Sequence, residues 1–302
     1  MKQSPASAKP LSYELRIQPR SNDYYVSEER LDLEPSDSES ELYLKTHQGG
    51  FYYKPLGQQN LTRADWDINP LETALSQAPR MSREPEDFKK LLASSTHYHV
   101  LDVAPTAAVR VPQPMKAAEL PGKNGENLVS CLYTIRETDP DCFELIQDTL
   151  RAGFPSFERL NFPPVAAGTL AITWKDRTSS DPFYMHQLSE GSLRFLWLAA
   201  LLYSPGLTAV TMIDEPEVSL HPELLAILVD VFRDAQNRTQ LIIATHSDRL
   251  IRLLNPDEVV AANVAPDGST TFQRGSELDL EQWLKEYTLD QLWDMGRIGG
   301  RP

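Results

Sequence analysis

The sequence predicts an α/β fold that combines a parallel sheet and crossover helices with an antiparallel β segment and a helical insertion. Residues 11–65 alternate apolar and polar side chains in short runs, which is the period of half-buried antiparallel strands. Residues 66–164 carry helical spacing instead. From about Val165 strands and helices alternate, as they do around a parallel sheet. We therefore predict three regions, which cover residues 1–65, 66–164 and 165–302.

Composition indicates a globular protein and limits the function classes. The 302 residues are 41% hydrophobic and 24% charged, enough for a sizeable core. The net charge of −14 argues against a bulk surface that grips DNA, although a local basic groove stays open. The polar N-terminus and the break at Ser204–Gly206 in the longest apolar stretch predict no signal peptide and no membrane span, hence a cytoplasmic protein. Cys131 and Cys142 are predicted to be small core residues in a reducing compartment.

In the first half of the chain, the pattern favours short strands followed by helices. The predicted strands are residues 11–17, 23–26, 41–45 and 50–54, with a further short strand at 98–102. The acidic stretch from Glu28 to Glu41 is predicted to be a solvated excursion. Helical spacing covers residues 71–77, 86–92 and 141–152.

In the second half, strands and helices alternate. We expect a strand at Thr169–Trp174, an apolar helix at Ser192–Tyr203 and a strand at Ala209–Ile213. A helix at 222–237 then leads to an apolar strand at 240–245, which we expect to be buried. The segments 258–262 and 270–273 are predicted to be edge strands.

Two consecutive carboxylates, Asp214 and Glu215, follow the strand that ends at Ile213, and Pro216 stops that strand. Ligands of α/β folds bind at the carboxyl ends of strands. The first carboxylate can hold Mg²⁺ through oxygen ligation, and the second can orient or deprotonate a water molecule. This is the arrangement of a nucleoside triphosphatase. An Asp-Glu pair alone is as often a solvated turn.

Three further elements surround this pair in the sequence. Ser189 and Gly191 open an apolar helix, where Ser189 can cap the helix and Gly191 can let the backbone approach an anion. Ser219 lies in a tight turn into the next helix, and His246 follows the adjacent strand. Taken singly, the helix start is explained by capping, and the histidine by a hydrogen-bonded neutral ring.

Four elements occur in a fixed order in the sequence: Leu-Ser-x-Gly, a strand followed by Asp-Glu-Pro, Ser-Leu-His-Pro, and Thr-His-Ser. This order resembles that of the ABC-class ATPases. It is most similar to their SMC- and RecF-like bacterial branch, often labelled AAA family ATPase. Residues 186–250 carry the tight part of the resemblance. Looser matches are Gly125–Leu128 and Phe154–Phe157 to the helical lobe of that family, and Glu286–Trp293 with Gly296–Gly300 to its C-terminal end.

The resemblance implies ATP and Mg²⁺ as cofactors and gives each site residue a role. Asp214 is then the Walker B residue in the Mg²⁺ shell, and Glu215 is the general base or water-orienting carboxylate. His246 is the switch histidine that senses the γ-phosphate. Ser189 and Gly191 belong to the signature that contacts nucleotide on the opposite subunit, and Ser219 lies in the D-loop. Two copies would dimerise head to tail and regulate a separate effector, DNA-related or involved in defence; direct DNA binding is not supported by the charge.

A Walker A loop, Gly-x-x-x-x-Gly-Lys followed by Ser or Thr, does not occur in the sequence, and Gly122-Lys123 lacks the upstream glycine. Turnover by this chain alone is therefore not expected. Three explanations stay open: a start downstream of the true one, one part of a split ATPase, or natural loss of turnover with retention of the fold. Because the absent strand would lie inside the parallel sheet, we expect self-association or a complementing N-terminal piece.

Two other functions compete with the ATPase reading. One is a non-enzymatic module that uses an ATPase-like surface for dimerisation or partner binding. The other, a transporter ATPase subunit, is less favoured because the helical lobe is long, the antiparallel segment is atypical and no membrane partner is implied.

Overall fold

A computed structural model of the chain describes residues 10–21, 23–33, 41–47, 50–163, 165–266, 268–278, 280 and 286–300. The chain divides into two compact units, which cover residues 1–94 and 95–302. The regions predicted from the sequence, 1–65, 66–164 and 165–302, stay predictions.

The first unit is built on an antiparallel sheet whose strands follow one another in chain order, as the alternating pattern predicts. The strands are β1 (Leu11–Arg20), β2 (Asp23–Leu33), β3 (Glu41–His47), β4 (Gly50–Tyr53) and β5 (Thr62–Arg63). Two helices follow them, α1 (Ala74–Gln77) and α2 (Arg83–Ala93). Leu31, Leu44 and Phe51 on the sheet share one apolar cluster with Leu75 and Met81, so this unit has a core of its own.

The solvated excursion predicted from Glu28 to Glu41 is wrong over Glu28–Leu33, which continue β2. Glu29 is buried, and its carboxylate accepts hydrogen bonds from the Leu75 backbone N–H and the Tyr13 hydroxyl, both at 2.9 Å. It also accepts from the backbone N–H of Ala74. Glu29 therefore accepts hydrogen bonds from backbone N–H groups at the start of α1, which have no acceptor within the helix. These donors are far from Glu29 in the sequence, so the acidic composition around Glu29 does not indicate them. Residues 34–40 lie outside the described part of the chain.

The second unit contains the remaining elements. Its helices are α3 (Leu128–Thr138), α4 (Pro140–Gly153), α5 (Glu190–Tyr203), α6 (Pro222–Ala235), α7 (Asp248–Ile251) and α8 (Leu289–Asp294). Its strands are β6 (Thr96–Tyr98), β7 (Gln113–Pro114), β8 (Phe157–Asn161), β9 (Thr169–Leu170), β10 (Thr173–Asp176), β11 (Phe183–Tyr184), β12 (Val210–Asp214), β13 (Gln240–Ala244), β14 (Val260–Val264) and β15 (Thr270–Arg274).

This unit contains a parallel sheet in the order β13-β12-β6, which confirms the predicted α/β class. α6 is the crossover helix between β12 and β13. α5 is apolar on all sides, and its residues from Phe195 to Leu202 are at most 2% exposed. The strand predicted at 98–102 is β6, two residues earlier, and it joins this sheet although it comes from the region predicted to be helical.

The single strand predicted at Thr169–Trp174 is wrong in form and in direction. It is split into β9, which pairs antiparallel with β7, and β10, which pairs antiparallel with β8 and β11. Ala171 and Ile172 between them are 3% and 1% exposed. Because these two residues pack into the core, they do not pair with either neighbouring strand. A local run of apolar residues cannot indicate such an interruption.

β13 is less buried than its apolar sequence predicts. His97, Met212 and Ile242 are paired across the three strands, so their side chains lie on the same face of the sheet. His97 and Ile242, on the two outer strands, are exposed, and Ile242 is 49% exposed. Within the described residues, β13 pairs with β12 alone, so its outer edge is free. Parallel sheets are normally covered on both faces. Among the described residues, this sheet is therefore open at the edge of β13, and one of its faces carries exposed side chains.

Both cysteines are packing residues, as predicted. Burial raises the pKa of the Cys131 thiol to about 12. Burial likewise raises the pKa of Cys142 to about 11, and its thiol donates to the Tyr203 carbonyl oxygen at 3.2 Å. Among the helices described, none has the length and apolar character needed to cross a membrane.

Candidate functional site

The carboxyl end of β12 carries the two predicted acidic residues into a strained turn. Asp214 pairs in register with Ala244 of β13, and the Glu215 backbone N–H donates to the Ala244 carbonyl at 2.9 Å. Glu215 has φ of 47° and Ser219 has φ of 62°, both in the left-handed region that non-glycine residues seldom adopt. Such conformations persist only where surrounding contacts enforce them, and they cluster at functional sites.

His246 reaches this turn from the loop that follows β13. Its Nε2 atom lies 3.9 Å from Oε1 of Glu215, and the two side chains are 88% and 28% exposed. The structure thus brings together Asp214, Glu215 and His246. The sequence alone predicted that each of them follows a strand, but not that their side chains lie close together. The imidazole of His246 is open to solvent.

A second histidine, His99, also lies at this edge, although the sequence assigned it no role. Its Nδ1 atom is 3.6 Å from Oδ2 of Asp214, and its ring contacts that of His97 with centroids 4.2 Å apart. The placement follows from the parallel pairing of β6 with β12. Because that pairing joins distant segments, no local pattern announces it.

The start of α5 and the turn at Ser219 form a neighbouring group. Ser189 caps the helix and accepts the Ser192 backbone N–H at 3.1 Å. A Cβ atom on Gly191 would lie 2.6 Å from the Ser219 carbonyl oxygen, so close backbone packing by itself requires glycine here. The predicted residues Ser189, Gly191 and Ser219 therefore share one surface, next to the carboxylates.

Arg194 connects the two groups and was missed by the sequence analysis. Its Nη1 atom donates to the Ser219 hydroxyl at 2.8 Å, and its side chain lines one narrow cleft with Asp214 and Glu215. The Arg194 Nε atom is buried, and within the described part of the chain it has no hydrogen-bond partner. The sequence signal was its place in the second turn of the helix that Ser189 opens.

Glu217 and Thr245 add a polar contact between the loops after β12 and β13. The Thr245 hydroxyl donates to Oε1 of Glu217 and accepts the Ser247 backbone N–H at 3.0 Å. Burial raises the pKa of the Glu217 carboxyl, and the neighbouring Glu215 carboxylate raises it further. A half-buried acid therefore lies beside the candidate catalytic carboxylate.

Asp214 fits Mg²⁺ as a single protein ligand. Its side chain is 42% exposed, which leaves oxygen lone pairs free for a cation. Among the residues that the structure describes, no group of three or more potential ligands forms a complete metal cage. Mg²⁺ commonly binds one or two carboxylates and takes its other ligands from phosphate and water, so the donor set suits a metal that arrives with a nucleotide.

The chain was compared with known proteins. Residues 83–252, more than half of the 302, match the family model described as "AAA domain, putative AbiEii toxin, Type IV TA system". The chain belongs to this AAA-domain family. The AAA family predicted from the motifs is thereby confirmed, and the matched range includes every candidate site residue from Ser189 to His246. No curated protein matched the chain.

Solved structures similar to the chain include heads of SMC ATPases. One, from work on ATP-driven dimerization and DNA-stimulated activation of SMC ATPases, has 16% identity and a TM-score of 0.39, and the match covers 51% of this chain and 93% of that one. An SMC head bound to the C-winged helix domain of ScpA has 15% identity, a TM-score of 0.46 and coverage of 86% and 76%. A Pyrococcus furiosus head with an extended coiled coil, bound to the C-terminal domain of ScpA, has 18% identity, a TM-score of 0.39 and coverage of 54% and 40%.

Proposed function

We propose that the chain contributes the carboxylate and switch elements of a composite site that binds and hydrolyses ATP. The observation that carries this proposal is the convergence of Asp214, Glu215 and His246 at the carboxyl ends of two adjacent parallel strands. Phosphoryl transfer needs charge neutralisation and an oriented water, and these three side chains supply groups for both. Membership of the AAA-domain family supports the same chemistry.

Each residue has a distinct role in this proposal. Asp214 would be the protein ligand of Mg²⁺, and the metal would neutralise charge on the phosphates. Glu215 orients the attacking water or accepts its proton. His246, exposed and 3.9 Å from Glu215, contacts the γ-phosphate and couples its presence to the carboxylate.

The Ser189 group completes the site of a second copy. Ser189 and Ser219 are exposed at the start of α5 and in the adjoining turn, so a partner can reach them. We therefore infer head-to-tail pairing in which this surface contacts nucleotide held by the other copy. Such pairing would control a separate effector in a DNA-related or defence process, and the family description, which names a putative toxin of a type IV toxin–antitoxin system, is compatible with a defence role. The net charge of −14 disfavours direct DNA binding.

A phosphate-binding loop must reach this site from outside residues 1–302, because the sequence has no Gly-x-x-x-x-Gly-Lys-Ser/Thr segment. The open edge of β13 supports such complementation. A strand added parallel to β13 would end beside Ala244 and deliver its following loop next to Glu215 and His246. The half-exposed Ile242 and the apolar groove lined by Leu241, Ile243 and Phe232 would then be covered.

Calorimetric titration of the chain with ATP, with and without Mg²⁺, tests the site. We expect weak Mg²⁺-dependent binding that Asp214→Asn abolishes and that Glu223→Gln, a change at a side chain 90% exposed, leaves intact. Hydrolysis abolished by Glu215→Gln would establish an enzyme in this chain alone. Equal binding by the wild type and Asp214→Asn would contradict the proposal.

The association state tests complementation. We expect the isolated chain to self-associate through the open sheet, and Ile242→Glu to reduce this without unfolding the protein, since Ile242 is 49% exposed. Ile213→Glu, at a position 2% exposed on the same sheet, is the contrast and should prevent folding. A monomeric wild type that unfolds cooperatively would rule out the need for a complementing piece.

A non-enzymatic dimerisation or partner-binding module is the second candidate. It is favoured by the packing of Gly191 on Ser219 and by the Ser189 cap, which explain both residues without a nucleotide. Absence of ATP binding at millimolar concentrations, together with stable self-association, would support this alternative.

A further inference from the structure

Glu217 is a half-buried carboxyl group that the proposed hydrolysis does not use. Its Oε1 atom accepts a hydrogen bond from the Thr245 hydroxyl. Its Oε2 atom is buried and has no hydrogen-bond partner among the residues that the structure describes. A buried carboxylate oxygen without a donor is costly, so this atom needs an explanation.

The Glu215 carboxyl group provides one. It lies within hydrogen-bonding range of Glu217, and its charge is among the causes that raise the pKa of Glu217, after burial. Two ionised carboxylates cannot bond to each other, because both only accept. One proton on the pair removes the repulsion and gives Oε2 a bond to make.

Thr245 fixes the other side of Glu217. Its hydroxyl donates to Glu217 and accepts the Ser247 N–H at 3.0 Å, and Ser247 caps α7 through the Leu250 N–H at 3.2 Å. His246 lies between Thr245 and Ser247. Glu217 thus stands between Glu215 on one loop and the segment that presents His246 on the other.

We propose that Glu217 is a positioning residue for Glu215: its carboxyl group keeps a proton, donates it in a hydrogen bond to the Glu215 carboxylate, and accepts the Thr245 hydroxyl. The bond from Thr245 holds the loops after β12 and β13 together. The bond to Glu215 fixes that carboxylate within the loop after β12, while Glu215 stays ionised and free to accept a proton from water. The effect of this hydrogen bond on catalysis rests on the proposed function of Glu215. The existence of the hydrogen bond does not depend on that function.

The charged groups around this pair come from every neighbouring element. They are Asp214 at the end of β12, His99 after β6, Arg194 and Glu190 on α5, and His246 after β13. Burial of the Glu217 carboxyl group favours its neutral form, which assigns the proton to Glu217.

The free energy of unfolding of the unit covering residues 95–302 should depend on pH because of this proton. The pKa of Glu217 in the folded protein lies above its ordinary value of 4.5. Below pH 4.5 the group is protonated in both the folded and unfolded states, and its contribution is fully present. As the pH rises through the folded pKa, that contribution is lost, and the unfolding equilibrium constant grows up to tenfold per pH unit while only the folded state holds the proton.

The experiment compares the full-length wild type with Glu217→Gln and Glu217→Ala between pH 4.5 and 8. Native-state hydrogen exchange at the β12 and β13 amides reports this unit alone. Gln keeps one donor and one acceptor, so it should match the wild type at pH 4.5 and become progressively more stable than it, by up to tenfold per pH unit. Ala should be less stable than Gln throughout, and Glu223→Gln should follow the wild type.

Parallel wild-type and Glu217→Gln profiles, or a Gln variant as unstable as Ala, would overturn the proposal. If Glu217→Gln fails to fold, Thr245→Val and the ¹³Cδ resonance of Glu217 provide the test. The Thr245 hydrogen bond lowers the pKa of Glu217, so its removal should move the titration to higher pH, and an unchanged midpoint would overturn the proposal. Because no nucleotide is used, these outcomes are independent of ATP binding. Where hydrolysis is measured, Glu217→Gln should retain kcat, and Glu217→Ala should lower kcat with KM unchanged.

Discussion

Nε2 of His246 lies 3.9 Å from Oε1 of Glu215, and the two side chains approach each other from loops that follow neighbouring parallel strands. The histidine is almost fully exposed, whereas the carboxylate is mostly covered. This asymmetry suits a sensor and a base, because the exposed group can meet a ligand while the covered group keeps its position.

Replacement of His246 by alanine should leave the fold intact and affect chemistry alone. Its side chain is 88% exposed, so we expect the free energy of unfolding to change by less than about 0.5 kcal/mol. In an assembly that hydrolyses ATP, the rate should fall on the order of 10²-fold, the usual contribution of a positioned polar group. Urea unfolding and a phosphate-release assay measure the two effects. A large loss of stability would show that His246 is a packing residue instead.

Gly191→Ala should destabilise the start of α5. The new Cβ atom would lie 2.6 Å from the Ser219 carbonyl oxygen, so the backbone has to move, at a cost of about 1–3 kcal/mol. Gly153→Ala is the matched control, because its Cβ would lie 2.6 Å from Cδ2 of Leu224, the end of a flexible side chain. Thermal unfolding of both variants decides the matter, and equal midpoints would mean that the Ser219 turn yields easily.

Glu29 should make the unit covering residues 1–94 sensitive to pH. Burial raises its pKa above 4.5, so the stability it contributes is fully present below pH 4.5 and is lost as the pH rises through the folded pKa. Glu29→Gln should therefore gain on the wild type with increasing pH. Glu29→Ala should cost about 1–3 kcal/mol at any pH, since it leaves the Ala74 and Leu75 N–H groups without their acceptor.

Hydrogen exchange at the β2 and β3 amides, measured across the same pH range, tests this behaviour. Glu28→Gln is the control, because that side chain is 61% exposed and forms an ion pair with Arg16 on the surface. If Glu28→Gln and Glu29→Gln have the same effect, burial of Glu29 does not determine the pH dependence.

Features that depend on a few neighbouring residues could be predicted from the sequence. The α6 helix begins at Pro222 as expected, and α4 begins at Pro140, one residue before the expected start. Ser189 caps α5 through a bond within its own turn. The position of Asp214 and Glu215 after an apolar strand was equally local, and the motif order around it identified the family.

The features that were missed depend on residues far apart in the chain. Glu29 was taken for a solvated acid because its partners at Ala74 and Leu75 come much later. Thr169–Trp174 was predicted to be one strand because its residues are mostly apolar. It is divided into β9 and β10 because the residues between them pack into the surrounding core. His99 and Arg194 reach the carboxylates through strand pairing and helix packing, which no local spacing encodes.

The sequence by itself therefore determined which carboxylates end a strand, which helices are capped and which family the chain resembles, because short-range hydrogen bonding and apolar periodicity are written in consecutive residues. Only the tertiary structure decided that Glu217 lies between Glu215 and Thr245, and that the parallel sheet stays open beside β13. Those facts arise from burial and from contacts between separate strands, whose free energies depend on the whole packed unit.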